Sequence, residues 1–156
     1  MTLTETDLTF LRRCVDLARE ALDDGDEPFG SVLVSAAGEV LFSDRNRVKD
    51  GDETRHPEFE ISRWAARNMT SGERAAATVY TSGEHCPMCA ASHGWVGLGR
   101  IVYALSSAQL VEWRTGWGMP ASPVAALPIT AVVPGAVVDG PAPELEAELR
   151  ALHQPS

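Results

Sequence analysis

Two cysteines, one histidine and one glutamate are the residues of this sequence whose types and spacing point to chemistry. Cys86-Pro87-Met88-Cys89 places two thiols at the start of a predicted helix, because proline is favoured as the first helical residue. The positive end of the helix dipole lowers the pKa of a thiol at that place. Such a pair suits either a soft divalent metal ion or thiol–disulfide exchange.

His56-Pro57-Glu58 supplies a further ligand, and it also lies at a predicted helix N-terminus. If the two helices lie side by side on one face of a sheet, His56, Cys86 and Cys89 converge. One imidazole and two thiolates leave the fourth position of a tetrahedral zinc ion open for water, which is typical of a catalytic site. Glu58 can then move a proton from that water to a substrate nitrogen. The pattern predicts a hydrolytic centre that acts on an amidine-like carbon.

A thioredoxin-type redox protein is an alternative interpretation, because its C-x-x-C motif also follows a strand and opens a helix. Such a protein would bind no stoichiometric zinc, and His56 and Glu58 would have no role in it. A zinc-binding scaffold without catalysis is a third interpretation, but an open ligand position serves no purpose there.

Alternating helices and strands must position these residues. Helices are predicted over residues 4–24, 57–68, 87–96 and 143–152, and strands over 31–35, 39–43, 77–81, 100–105 and 129–133. The first two strands form a β-hairpin, Ser71-Gly72 breaks the second helix, and the tryptophan-bearing stretch after residue 105 is irregular. Cys14 is a packed, unreactive thiol of the first helix. This order predicts an α/β protein, a three-layer α/β/α sandwich.

Composition restricts the class of partner. The chain has 156 residues, with 13 Lys+Arg against 22 Asp+Glu and a net charge of −9 at pH 7, and one domain over residues 1–156 is expected. The acidic charge argues against nucleic acid, whose phosphates are bound by Lys and Arg, and favours a small molecule. No apolar run approaches the roughly 18 residues of a membrane span. The chain starts with acidic residues rather than a secretory signal, which predicts a cytoplasmic protein.

The H-x-E and C-x-x-C motifs together resemble the zinc-dependent cytidine and deoxycytidylate deaminase superfamily. The sequence looks most like the branch that contains guanine deaminases, fungal-type cytosine deaminases and tRNA adenosine deaminases. Pro28-Phe29-Gly30, Asn46 and Arg100-Ile101-Val102-Tyr103 are similar to that branch. The resemblance covers about residues 28–104. It implies the cytidine deaminase-like fold, with a central mixed five-stranded sheet, and a homodimer.

The resemblance also implies roles for individual residues. One zinc ion per chain would be bound by His56, Cys86 and Cys89, and Glu58 would be the general acid and base. Asn46 would hydrogen-bond the base, and the Glu58 carboxylate with the backbone at Pro57 and Cys86 would hold the ring edge.

Two residues depart from the family pattern. His85 stands where proline is usual before the first cysteine, and Pro57 stands where alanine or valine is usual. Neither change alters a metal ligand or Glu58, so both changes are expected to affect the wall of the substrate pocket. His85 is expected to contact the substrate or the metal-bound water, to form that wall or to face solvent, and His93 is expected to pack or to lie at the surface.

Aromatic side chains are candidates for stacking on a flat base. They are Phe29, Trp95, Trp113 and Trp117, each with core packing as the alternative. Residues 106–153 would form a segment and helix that close over the base, as in relatives. Within that segment, Glu112 is a candidate for reading an N–H edge, with a surface carboxylate as the alternative.

The leading hypothesis is a zinc-dependent deaminase of a free nucleobase or related amino-heterocycle, such as guanine, cytosine or an analogue, that releases ammonia. Editing of tRNA adenosine is the alternative within the family. The net charge of −9 and the lack of a Lys/Arg cluster weigh against it.

Overall fold

The structure, a computed structural model, describes residues 3–156. Its helices are α1 (Glu5–Asp23), α2 (Pro57–Asn68), α3 (Ser71–Ala76), α4 (Pro87–Val96), α5 (Ser107–Gly116), α6 (Ile129–Val132) and α7 (Glu146–His153), with a short 3-10 helix at Pro143–Leu145. Its strands are β1 (Gly30–Val34), β2 (Val40–Arg45), β3 (Thr78–Gly83), β4 (Ile101–Leu105) and β5 (Val138–Asp139). None of the helices within residues 3–156 is long and apolar enough to cross a membrane.

A mixed five-stranded sheet with the order β2-β1-β3-β4-β5 forms the middle layer. β1 runs antiparallel to both β2 and β3, whereas β3, β4 and β5 are parallel. Successive side chains of a strand point to opposite faces, so Val32 packs with α1 and α7 while Leu33 packs with α2. The predicted hairpin and the α/β/α sandwich are confirmed.

Helix α1 approaches β1 closely where glycine is required. A Cβ on Gly30 would lie 2.5 Å from the carbonyl oxygen of Cys14, which only glycine avoids. Cys14 itself is wholly buried, and burial raises the pKa of its thiol well above the usual value. The predicted packed thiol is confirmed.

The prediction of a strand over 129–133 is wrong. Residues 129–132 form helix α6, and the last strand is Val138–Asp139. The β-branched residues favour a strand locally, but tertiary contacts override that preference. Ile129 is buried against Ala90 and Ile101, and its N–H donates to Glu84 Oε2 at 2.9 Å.

The predictions are also wrong at two places where the structure has a helix. Ser71-Gly72 begins helix α3 instead of a break, and α5 occupies the stretch predicted to be irregular. Each helix starts with a capping box, Thr70 with Glu73 and Ser106 with Gln109. This S/T-x-x-E/Q spacing was the available sequence signal.

The buried carboxylate of Asp7 links α1 to the sheet through hydrogen bonds. Arg100 donates from Nη1 to Asp7 Oδ1 at 2.8 Å and from Nη2 to Asp7 Oδ2 at 3.0 Å. Tyr80 donates to Asp7 Oδ1 at 2.9 Å, and Arg100 Nε donates to Asp139 at 2.8 Å. The hydrogen bonds from Arg100 hold the pKa of Asp7 well below its usual range.

Asp7→Asn is expected to lower the free energy of unfolding by about 2–4 kcal/mol at pH 7, because Arg100 loses a buried charged partner. The depressed pKa means that this stabilisation is present above about pH 4 and is lost as the pH falls below the pKa of an unfolded aspartate. Urea unfolding between pH 7 and pH 2.5 measures both effects, and the difference between the two proteins should shrink in acid.

Asp16→Asn is the matched control, since Asp16 lies on the same helix with 74% of its side chain exposed. Its effect should stay under about 0.5 kcal/mol. Equal effects of the two substitutions would contradict the role given to Asp7.

Candidate metal centre and active site

Two helix N-termini meet on one face of the sheet. α2 begins at Pro57 after the N-cap His56, and α4 begins at Pro87 after the N-cap Cys86. The His56 side chain makes no cap hydrogen bond to its own helix, and the Cys86 sulfur, which accepts from Cys89 in the first turn of α4, lies against the His56 imidazole. The helices pack side by side, and Ser92 donates to Ser62 between them at 2.8 Å. The predicted placement of the two motifs is confirmed.

The three candidate ligands have the spacing that zinc requires. His56 Nδ1 lies 3.5 Å from Cys86 Sγ and 3.6 Å from Cys89 Sγ, and all three ligand atoms lie within 4.8 Å of one another. Bond lengths of about 2.05 Å to nitrogen and 2.3 Å to sulfur at a tetrahedral angle place N and S about 3.6 Å apart. The donor set and its distances therefore fit a zinc ion.

These three groups also hydrogen-bond one another, which shifts their pKa values. The Cys86 pKa is lowered to about 4, first by a hydrogen bond from the Cys89 thiol and then by His56. The hydrogen bond to Cys86 raises the pKa of His56 to about 9, and the Cys89 pKa is raised by its donation to Cys86 and by burial. A divalent metal ion needs neutral imidazole and thiolates, so its binding near pH 7 displaces protons from His56 and Cys89.

Glu58 lies in the first turn of α2, with only 6% of its surface exposed. Burial raises the pKa of Glu58 to about 7. Its Oε1 lies 3.3 Å from the hydroxyl oxygen of Ser31 on β1. A carboxyl group with this pKa can both take up and release a proton at neutral pH, as a general acid and base must.

Asn46 is buried and its amide has a defined orientation. Oδ1 accepts hydrogen bonds from the backbone N–H groups of Val48 at 3.1 Å and Glu27 at 3.3 Å. Among residues 3–156 no hydrogen bond from the Asn46 amide nitrogen is found. That nitrogen is the part of the side chain left to donate to a ligand.

Phe29 is half-buried just before β1. A Cβ on Gly83, at the end of β3, would lie 2.9 Å from its ring, and the His153 ring meets it edge-on with centroids 5.0 Å apart. Gly83 is three residues before Cys86, so Phe29 packs beside the strand that leads into the metal loop. Pro57 is buried at the start of α2.

Trp95 lies in the last turn of α4 with 89% of its surface exposed, which excludes the core-packing alternative, and its pocket role stays a prediction. Trp113 packs against the core between α1 and α7, and its ring centroid lies 6.1 Å from that of Trp117. Glu112 is exposed on α5. The pocket roles of Trp113 and Glu112 stay predictions.

His85 does not face solvent, which excludes one of the three interpretations. It is buried, its two ring nitrogens find no hydrogen-bond partner among residues 3–156, and its ring meets the His93 ring edge-on at 5.5 Å. Burial lowers the pKa of His85 well below its usual value, so the ring is neutral. His93 is also buried and its Nε2 lies 2.8 Å from the carbonyl oxygen of Gly99, which confirms the packing interpretation.

Two residues near the site were missed from the sequence, Ser31 and Glu84. Glu84 Oε1 accepts from the N–H of Ser107 and Oε2 accepts from the N–H of Ile129, both at 2.9 Å. One carboxylate thus holds the starts of α5 and α6 beside the metal loop. Its partners are 23 and 45 residues away, so no local pattern could have indicated them.

The sequence is similar to those of known deaminases. The family model for the cytidine and deoxycytidylate deaminase zinc-binding region matches residues 4–105. A "Probable cytosine deaminase" of Schizosaccharomyces pombe is 36% identical over 110 residues, which cover 70% of this chain and 67% of that protein. Guanine deaminase of Bacillus subtilis is 31% identical over 105 residues, 67% of each protein. A tRNA-specific adenosine deaminase of Haemophilus influenzae is 29% identical over 114 residues, 72% of this chain and 63% of that protein.

Among solved structures, guanine deaminase from Nitrosomonas europaea has a TM-score of 0.70 at 18% identity. The similarity covers 98% of this chain and 86% of the other. At this identity the likeness supports the fold.

Cys86→Ser and Cys89→Ser are each expected to lose zinc, because a serine hydroxyl is a much poorer ligand than a thiolate. Wild type should carry about one zinc ion per chain. Elemental analysis of the purified proteins measures the metal content. Cys14→Ser removes a buried thiol outside the cluster and should keep its zinc. Full zinc content in both loop variants would contradict this ligand set.

Proposed function

The chain belongs to the cytidine and deoxycytidylate deaminase family, and from this membership we propose that it is a zinc-dependent hydrolytic deaminase of a free nucleobase or related amino-heterocycle, such as guanine or cytosine. The observation that carries the proposal is the convergence of three zinc-type ligands with a buried carboxyl group whose pKa is about 7. A thiol–disulfide role explains neither His56 at 3.5 Å from Cys86 nor Glu58.

His56, Cys86 and Cys89 would hold the zinc ion, which supplies Lewis-acid activation of a water molecule when bound. Glu58 takes up a proton from water and passes it to a ring nitrogen of the substrate. Glu58 then takes the remaining proton of the hydroxyl group added to the ring carbon and gives it to the amino group, so that a carbonyl forms, the C–N bond breaks and ammonia leaves. Water thus supplies the oxygen that replaces the amino group, and Glu58 ends the cycle in its starting state.

The orientation of Asn46 limits what it can recognise. Since its oxygen already accepts two backbone N–H groups, the amide can only donate to a substrate. It therefore selects a ring nitrogen or a carbonyl oxygen at that edge of the base. Phe29 offers an aromatic face beside the metal loop, and the backbone at Pro57 and Cys86 is proposed to hold the ring edge.

A tRNA adenosine deaminase is the second candidate, which the 29% identical relative favours. Charge weighs against it. The net charge is −9, and ion pairs engage six of the 13 basic side chains: Arg19, Arg45, Arg47, Lys49, Arg55 and Arg100. Binding to a phosphate backbone relies on unpaired Lys and Arg, so a small base is the better substrate.

We also propose that residues 1–156 act as one deaminase domain in a cytoplasmic homodimer. The exposed Trp95 supports the dimer, because large aromatic side chains are enriched in subunit interfaces.

Glu58→Gln is expected to lower the rate of ammonia release by at least about 100-fold, because glutamine keeps the shape but cannot transfer protons. Zinc content should stay near one per chain, since Glu58 is not a ligand. Glu60→Gln is the matched control: Glu60 lies on the same helix, paired with Arg55 at 3.6 Å, and its loss should leave the rate near that of wild type. An undiminished Glu58→Gln enzyme would contradict the mechanism.

Ammonia release from guanine, cytosine, adenine and their nucleosides, compared with inosine formation in tRNA, tests the substrate class. We expect turnover of a free base and no measurable reaction with tRNA, at low salt as well as at physiological salt. Faster deamination of tRNA adenosine than of any free base would establish the second candidate instead.

A further inference from the structure

A chain of buried oxygens connects Glu58 to the sheet. Ser31 on β1 and Thr81 on β3 are direct partners in the antiparallel pair, and both are wholly buried. Their hydroxyl oxygens lie 2.8 Å apart, as the close approach of opposite side chains allows. Ser31 Oγ lies 3.3 Å from Glu58 Oε1, and Thr81 donates to the carbonyl oxygen of Gly83 at 2.8 Å.

The number of hydrogens sets the direction of these bonds. Each hydroxyl has one hydrogen and can accept as well as donate, whereas the Gly83 carbonyl can only accept. The oxygen that exchanges a proton with water and substrate in the proposed reaction is Oε2, so Oε1 accepts from Ser31 whether or not Glu58 carries that proton. With Ser31 donating to Oε1, Thr81 can donate to Ser31 instead of to Gly83.

Oε1 therefore has a hydrogen-bond partner both when Glu58 is protonated and when it is ionised, the two states that the proposed reaction requires. The other oxygen, Oε2, has no hydrogen-bonding side chain among residues 3–156 and is the one left for water and substrate. An apolar residue at position 31 would remove the one side-chain hydrogen bond to this carboxyl group among residues 3–156 and leave the backbone N–H of Glu58 as its partner, so the orientation of the group would be less restricted.

We propose that Ser31 is a positioning residue, held by Thr81, that keeps Glu58 Oε1 turned to the sheet and Oε2 directed to the reacting atoms throughout the cycle. The inference rests on the proposed function, since it concerns the orientation of the group assigned to proton transfer. Ser31 and Thr81 themselves touch no reacting atom.

Kinetics of zinc-loaded variants test the proposal. Ser31→Ala should lower kcat about tenfold with KM within about twofold of wild type, because misorientation affects proton transfer more than ground-state binding. Thr81→Val should cause a smaller loss by the same route, and Thr81→Ser, which keeps the hydroxyl, should restore the wild-type rate. In the Ser31→Ala background, Thr81→Val should cost nothing further, since Thr81 acts through Ser31.

Ser82→Ala is the matched control. Ser82 is a buried residue next to Thr81 whose hydroxyl accepts from the Gly30 N–H and makes no hydrogen bond to Glu58 in the described structure. If Ser82→Ala lowers kcat as much as Ser31→Ala, or if the losses at Ser31 and Thr81 are additive, the effect is general loosening of the sheet and the proposal is wrong.

A readout independent of turnover separates this inference from the proposed function. Crystal structures of zinc-loaded wild type and Ser31→Ala should show one orientation of the Glu58 carboxyl group in wild type and a rotated or divided one in the variant. The same single orientation in both would overturn the role of Ser31, whatever the activity. Zinc-loaded wild type that releases no ammonia from any base would overturn the proposed function and leave the orientation result standing.

Discussion

The meeting of two helix N-termini on one face of the sheet is the constraint on which the rest of this structure depends. Both helices start with proline, which is favoured at the first helical position, and their N-cap side chains His56 and Cys86 lie 3.5 Å apart. Both helix dipoles direct their positive ends to the same place and favour the thiolate of Cys86. A site for a soft cation thus forms from residues 30 positions apart.

Burying a carboxyl group beside such a centre costs free energy, and the pKa that results suits proton transfer. Glu58 is almost fully buried, and burial favours its neutral form, while the neighbouring His56 favours the charged form. The opposing effects leave a group that changes protonation near neutral pH, which proton transfer to a leaving amine requires. The hydroxyl of Ser31, held by Thr81, can donate to Glu58 Oε1 in either form, so this oxygen keeps a hydrogen-bond partner in both states.

The surroundings of the site extend beyond the part of the chain that the family model matches, which ends at residue 105. Glu84 holds the starts of α5 and α6 to the metal loop, and Phe29 lies between Gly83 and His153 of α7. The ligand set therefore lies within the matched region, whereas some of the contacts around the metal loop come from the C-terminal third of the chain.

Local patterns in the sequence were sufficient for helices α2 and α4, whose bounds agree with those predicted, and for the ligands at their starts. Helix initiation and metal-ligand spacing depend on residues only a few positions apart, so the sequence alone determined the metal chemistry and the order of most elements. Local patterns failed at α6, where distant contacts override β-propensity, and they left open the burial of His85 and the exposure of Trp95, which distant contacts decide. Only the tertiary structure decided that Ser31 meets Thr81, 50 residues away, and that Glu84 joins two later helices, because such hydrogen bonds exist only once the sheet has paired and the helices have packed on it.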